Sequence, residues 1–90
     1  MYILYLIQHN ETKQIYIGKT NNLERRLKEH NSNKQTSTIR KSGEWLLIYA
    51  EAYRSKNDAN ERELKLKHHG TSKHKLKERI KNSLLSWNQN

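Results

Sequence analysis

Ninety residues carry 18 lysines and arginines against nine acidic residues, for a formal charge of +9, with 32% hydrophobic residues and no cysteine. So short and polar a chain has room for one lean core, so a single domain is expected, without disulfides or a cysteine-based zinc site to staple it. The charge points to a polyanionic partner, nucleic acid first, and no strongly apolar helix face accompanies it to suggest a membrane surface.

Met1–Ile7 is rich in Tyr, Ile and Leu and reads as a buried strand. It lacks a basic leader and a small-residue cleavage site, so neither a signal peptide nor a membrane span is expected. His9-Asn10-Glu11-Thr12 is a polar turn, and Gln14–Ile17 resumes as a second strand ending at Gly18. A link this short predicts an antiparallel hairpin.

Asn21 followed by Glu24 has capping-box character for a helix running to about His30, with Leu23 and Leu27 as a narrow apolar stripe. Asn31–Ser42 has no periodicity and reads as a mobile basic loop. Trp45–Ala52 is a third strand, in which Trp45, Leu47 and Tyr49 alternate against Leu46 and Ile48. Ser55 with Asp58 opens a second helix, with Ala59, Leu64 and Leu66 as its apolar contacts and Gly70 as its end. Thr71 or Ser72 caps a third helix, where Leu76, Ile80 and Leu84 recur every four residues. The expectation is an α+β fold in the order ββαβαα, one domain over residues 1–84 with 85–90 a tail without order.

Some polar groups stand where apolar ones belong. At 100° per residue Arg26 and His30 lie about 40° apart, one turn from each other beside the Leu23/Leu27 stripe. Read by themselves they are a solvated arginine and a histidine favoured by the helix dipole. The core positions of the second helix run Ala59, Glu63, Leu66, so a carboxylate sits on the buried face. Burial of an unpaired carboxylate is costly, so Glu63 needs an arginine or a metal ion, or else turns to the rim and pairs with Arg62 or Lys67. Tyr5 and Tyr16 fall on neighbouring strands, where tyrosines commonly pack with the hydroxyl partnered. His68, His69 and His74 invite a zinc reading, but neighbouring histidines at a helix end diverge, and surface histidines are expected.

Taken together, Ile3-Leu4-Tyr5, Tyr16-Ile17-Gly18, Leu23 to His30, Trp45 to Tyr49 and Glu61-Arg62-Glu63 resemble, in order and spacing, the GIY-YIG nuclease superfamily. The likeness is nearest to small stand-alone members related to the N-terminal nuclease domain of the bacterial excinuclease, and runs from Tyr2 to about Ile80. It implies a three-stranded antiparallel sheet flanked by helices, with a cleft over the first two strands. Tyr5 resembles the tyrosine ending the first motif and Tyr16 the one opening the second. Gly18 resembles the motif glycine, where backbone approaches substrate closely. Arg26 matches the catalytic arginine, His30 the histidine or tyrosine one turn later, and Glu63 the metal ligand. Two positions depart: the first motif reads Ile3-Leu4 in place of glycine and isoleucine, and neither Asn82 nor Asn88 fits the late asparagine of homing enzymes.

The implied activity is divalent-metal-dependent DNA endonuclease, in repair or recombination, with one Mg²⁺ or Mn²⁺ held by Glu63 and water. Arg26 would clamp a phosphate through its fork. A tyrosine with a free pKa near 10 is a poor base, so a metal, Arg26 or His30 would have to lower it for Tyr5 to take the proton from water. Tyr16 or His30 would orient that water or assist the leaving group. Gly18, Lys19 and Arg25 are expected to meet nucleic acid, with Lys34, Arg40 and Lys41 from the basic loop. The alternatives are a catalytically idle nucleic-acid-binding module of the same fold and a protein-interaction subunit using the hairpin edge. A cytoplasmic location is expected.

Overall fold

The computed structural model describes residues 1–32 and 43–85. Strand β1 (Tyr2–His9) is followed by β2 (Ile15–Thr20), helix α1 (Leu23–His30), strand β3 (Trp45–Tyr53) and helices α2 (Lys56–His68) and α3 (Gly70–Arg79). This is the expected ββαβαα order. The strands form one antiparallel sheet in the order β2-β1-β3, so β1 is paired on both edges. Burial follows from that position, and Leu4 to Gln8 of β1 are all 1% exposed or less.

Alternation along β1 separates the two faces of the sheet. Leu4 and Leu6 join Ile17, Leu66, Leu76, Ile80 and Leu84 in the core, with Ile15, Ile48, Tyr49 and Tyr53 packed against it. The four-residue spacing expected for the third helix is therefore a core stripe. Tyr5 and Ile7 point to the other face, which α1 covers. Leu23, Arg26, Leu27 and His30 of α1 are half-buried there, and no residue of that helix is fully buried. A helix this shallow and short draws little stability from burial and depends on its ends.

The helix ends correct three sequence expectations. The α1 cap is Asn22, not Asn21: its Oδ1 accepts from the Arg25 amide at 3.0 Å. The Thr20 hydroxyl in turn accepts from the Asn22 amide at 3.1 Å, which sets the cap one residue later. Gly70 does not end α2 but begins α3. The break falls at His69, whose extended backbone (φ −121°, ψ 101°) separates the helices without a left-handed residue. Its carbonyl then accepts from Ser72 and Lys73, so Thr71 and Ser72 lie inside α3 rather than capping it. Ser55 does cap α2, accepting from the Asp58 amide at 3.3 Å.

Strand β3 departs from simple alternation. Leu6 faces Tyr49 while Ile7 faces Leu47, so Ile48 is passed over in a bulge. A one-residue slip exchanges the faces of a strand. Tyr49 therefore stays on the core face, while Leu47 and Trp45 turn to the face of Tyr5. Leu64, expected as a contact of α2, is exposed, since Ala59 and Leu66 take the buried side of the helix.

The chain after α3 is pinned to the hairpin. Gln8 is fully buried; its Nε2 donates to the Lys13 carbonyl at 3.0 Å and its Oε1 accepts from the Leu85 amide at 2.8 Å. A buried amide with both ends bonded costs little and fixes register. Lys34, Arg40 and Lys41, and residues 86–90, lie outside the described residues.

Candidate active site

Strand β1 delivers Tyr5 to the α1-covered face, and the hairpin register brings β2 alongside with Tyr5 opposite Gly18 and Ile7 opposite Tyr16. Both tyrosines thus share a face, with ring centroids 6.2 Å apart. A Cβ on Gly18 would lie 2.6 Å from Tyr5 Oη and 2.9 Å from Tyr16 Cε2. Only a residue without a side chain lets the Tyr5 ring cross β2 there. The close approach at this glycine is made by the tyrosine ring.

His30, in the last turn of α1, closes over both rings. Its Nε2 lies 3.0 Å from Tyr5 Oη, and its ring centroid is 4.7 Å from that of Tyr16. Trp45, turned to this face by the bulge, stands 6.1 Å from His30 and 6.5 Å from Tyr16. Asn31 holds the helix end in place, its side chain bonding both the Trp45 amide (2.7 Å) and carbonyl (3.1 Å) as a strand neighbour would.

Burial holds the His30 pKa below its ordinary value, and the nearby Arg26 charge adds to the effect against Glu29. In its Nδ1–H tautomer a neutral imidazole accepts the Tyr5 hydroxyl proton at Nε2. Tyr5 is itself pushed up by burial; the Arg26 guanidinium pulls the other way, while Tyr16 and Glu63 add to the rise. In the protein alone burial outweighs Arg26, so Tyr5 stays protonated, contrary to the lowering expected from Arg26 or His30. Arg26 stays fully charged, held first by Glu29 (Nη1–Oε1 2.8 Å) and then by Tyr5.

Glu63 enters from α2, with its side chain 20% exposed and its Oε2 3.2 Å from Lys67 Nζ. Lys67 Nζ also sits 5.6 Å over the Tyr16 ring. The partner of Glu63 is thus Lys67; Arg62 goes elsewhere. Among the described residues no cluster of three or more His, Cys, Asp or Glu could hold a metal. A lone carboxylate with a charged arginine in the same site suits a Mg²⁺-type ion, which keeps its waters and takes one or two carboxylates plus substrate phosphate. It does not suit zinc, and the histidines at 68, 69 and 74 assemble no such site.

Tyr5, Tyr16, Arg26, His30 and Glu63 are therefore gathered about one face and edge of the hairpin. Arg25 is exposed beside Glu29, 3.6 Å away. Lys19 lies within β2, which runs on to Thr20 instead of ending at Gly18, and pairs with Leu4. By alternation it belongs to the face opposite Tyr5.

A second polar network escaped the sequence reading. Glu51 on β3 takes the Arg62 fork through both oxygens (3.0 Å from Nε to Oε1, 3.0 Å from Nη2 to Oε2) and accepts from the hydroxyls of Tyr49 and Tyr53. Burial pushes the Glu51 carboxyl up, but Arg62 and the two tyrosines outweigh it and the net shift is downward. Burial and Glu51 raise the Tyr53 hydroxyl to about 12. The available signal was spacing: Tyr49, Glu51 and Tyr53 stand two apart, which puts a carboxylate between two tyrosines on one strand face.

No helix among the described residues is long and apolar enough to cross a membrane. The model of the GIY-YIG catalytic domain matches residues 1–77. A UPF0213 protein of Clostridium perfringens is 34% identical over 67 residues, covering 74% of this chain and 71% of the relative. The solution NMR structure of a UPF0213 protein from Bacillus halodurans shares the fold at a TM-score of 0.55, with 22% identity and full coverage of both chains. With its sheet order, its paired motif tyrosines and a family match spanning all three strands, the chain belongs to the GIY-YIG family of nuclease domains.

Proposed function

We propose that this protein is a DNA endonuclease that hydrolyses phosphodiester bonds with one Mg²⁺ or Mn²⁺ at Glu63, within a nuclease domain of residues 1–84. The observation that carries the reading is the Tyr5 hydroxyl, bonded to a neutral His30 and flanked by Arg26. A raised pKa makes a free tyrosinate unavailable, so Tyr5 must lose its proton as it gains one. His30 Nε2 is the acceptor placed for that relay: as Tyr5 Oη removes the proton from an attacking water, its own proton passes to His30. Geometry of this kind supplies general-base assistance without a standing tyrosinate.

Arg26 remains charged and presents its fork to the phosphate, where negative charge builds on the oxygens in the transition state. Tyr16 lines the same face and orients water or the leaving oxygen. Bound at Glu63, the divalent ion supplies charge neutralisation at the phosphate and leaving oxygen. The charge of +9 provides sequence-independent attraction to the backbone, with Arg25 as a contact beside the cleft, Lys19 as one from the opposite sheet face, and Lys34, Arg40 and Lys41 as further ones. Nicked or branched DNA is the proposed substrate, in repair or recombination in the cytoplasm.

A second reading, a binding module without catalysis, is favoured by Lys67 sitting on the carboxylate. The test compares wild type with Glu63→Gln on nicked, branched and plain duplex DNA, with and without Mg²⁺ or Mn²⁺. Metal-dependent nicking by wild type alone supports the nuclease; binding without cleavage on every substrate supports the idle module.

A further inference from the structure

We propose that Lys67 is a built-in counter-ion that closes the Glu63 carboxylate until a divalent cation displaces it, an inference that rests on the metal-site reading of Glu63. Lys67 follows Glu63 by one helical turn, and its ammonium lies 3.2 Å from Oε2. The same nitrogen lies 5.6 Å over the Tyr16 ring, so it is drawn toward the tyrosine side rather than left to solvent. A carboxylate and an aromatic face together make a defined cation position. A metal ion taking the same Oε2 would compete with the ammonium for that oxygen.

The type of cation matters. At Glu51 an arginine fork engages both oxygens and two hydroxyls complete the shell. At Glu63 a flexible lysine offers one point charge to one oxygen, an arrangement that exchanges readily. Two cations at one carboxylate oxygen repel strongly at such separation. Ion binding and the docked ammonium therefore exclude each other. In the resting protein the pair is neutral, which spares the cleft an uncompensated carboxylate and the incoming phosphate an anion. On ion binding the ammonium is released beside Tyr16.

Direct Mn²⁺ binding to the free protein, measured by electron paramagnetic resonance or calorimetry without DNA, tests the idea. Lys67→Met and Lys67→Gln are both expected to tighten Mn²⁺ by roughly three- to tenfold, as removal of one nearby positive charge requires. Lys65→Met, which removes an exposed charge from the same helix, is the control and is expected to change affinity less than about twofold. Unchanged affinity in both Lys67 variants, no detectable binding in wild type and both variants, or an equal gain in Lys65→Met would each overturn the counter-ion role. Glu63→Gln separates the two claims. If it binds Mn²⁺ as wild type does, the Glu63 site itself is wrong. If it loses binding while Lys67→Met gains nothing, the site stands and the lysine proposal falls.

Discussion

Two carboxylates, Glu51 and Glu63, face the hairpin from neighbouring elements, and the protein treats them in opposite ways. Glu51 is 16% exposed along its side chain and is saturated by a bidentate arginine and two tyrosine hydroxyls. Glu63, hardly more exposed, is paired among the described residues with one lysine, a turn away. A largely buried carboxylate with all its lone pairs used is fixed structure, because each lost partner leaves a desolvation cost without compensation. A carboxylate balanced by one exchangeable point charge keeps capacity for a ligand. Burial of a charge therefore does not by itself mark a site; what distinguishes the two is how completely the shell is filled.

The tyrosines divide the same way. Tyr49 and Tyr53 donate to a carboxylate and are locked as donors, Tyr53 with its pKa raised to about 12. Tyr5 is bonded to a neutral histidine and flanked by an arginine. Its proton has somewhere to go, and an anion left behind would have a partner.

The largest expected effect breaks the comparison directly. Glu63→Gln should lower metal-dependent cleavage at least about a hundredfold, while stability falls only by the small worth of one i,i+4 ion pair whose lysine is 40% exposed, under about 1 kcal/mol. Glu51→Gln should do the reverse, costing about 2–3 kcal/mol by unpairing Arg62 and the tyrosines, with cleavage per folded molecule retained. Cleavage and thermal denaturation measured on both variants decide it, and a matched response would erase the distinction drawn between them.

Gly18→Ala comes next. The new Cβ would press on the Tyr5 hydroxyl and the Tyr16 ring at 2.6 and 2.9 Å. Overpacking of this kind costs about 1–3 kcal/mol, and with both rings displaced most of the cleavage should go too. Gly70→Ala is the contrast: nothing lies within 4 Å of its Cβ position, and in the first turn of α3 alanine should leave stability equal or slightly higher. Arg26→Lys keeps the charge and loses the fork, so cleavage should fall about tenfold to a hundredfold while DNA affinity stays near wild type. Equal losses of binding and cleavage would make Arg26 a binding residue alone.

The smallest effect is in pH. The His30 pKa in the fold is below its ordinary 6.5, so the unfolded chain binds its proton first as pH falls. Its contribution to stability is present above about 6.5 and is lost as pH drops through the lower folded value. Glu51, also lowered, contributes above its ordinary 4.5 and loses that contribution below it. Denaturation followed from pH 8 to pH 3 should show an early decline that His30→Asn removes and a later one that Glu51→Gln removes. A single decline left unchanged by either variant would mean that neither environment holds its group as described.

The amino-acid sequence by itself determined the element order, the pairing of the first two strands, the stripe of Leu76, Ile80 and Leu84, and the family. Those features rest on periodicity and on motif spacing, which are local properties of the chain. The helix ends were legible only to within a residue or two: Asn22 replaced Asn21 because Thr20 holds its amide, and His69 made the break expected of Gly70. The tertiary structure alone decided three things. The bulge at Ile48 turned Trp45 to the site face, which no alternation pattern reveals because one skipped residue exchanges every side chain beyond it. Burial overrode Arg26 in setting the Tyr5 hydroxyl, a balance that depends on how deep the ring lies under α1. The pairing of Arg62 with Glu51 was settled by where β3 passes α2, and it left Glu63 to Lys67, one of the two partners the sequence offered. A sequence lists charges in order, but which two meet is a matter of packing.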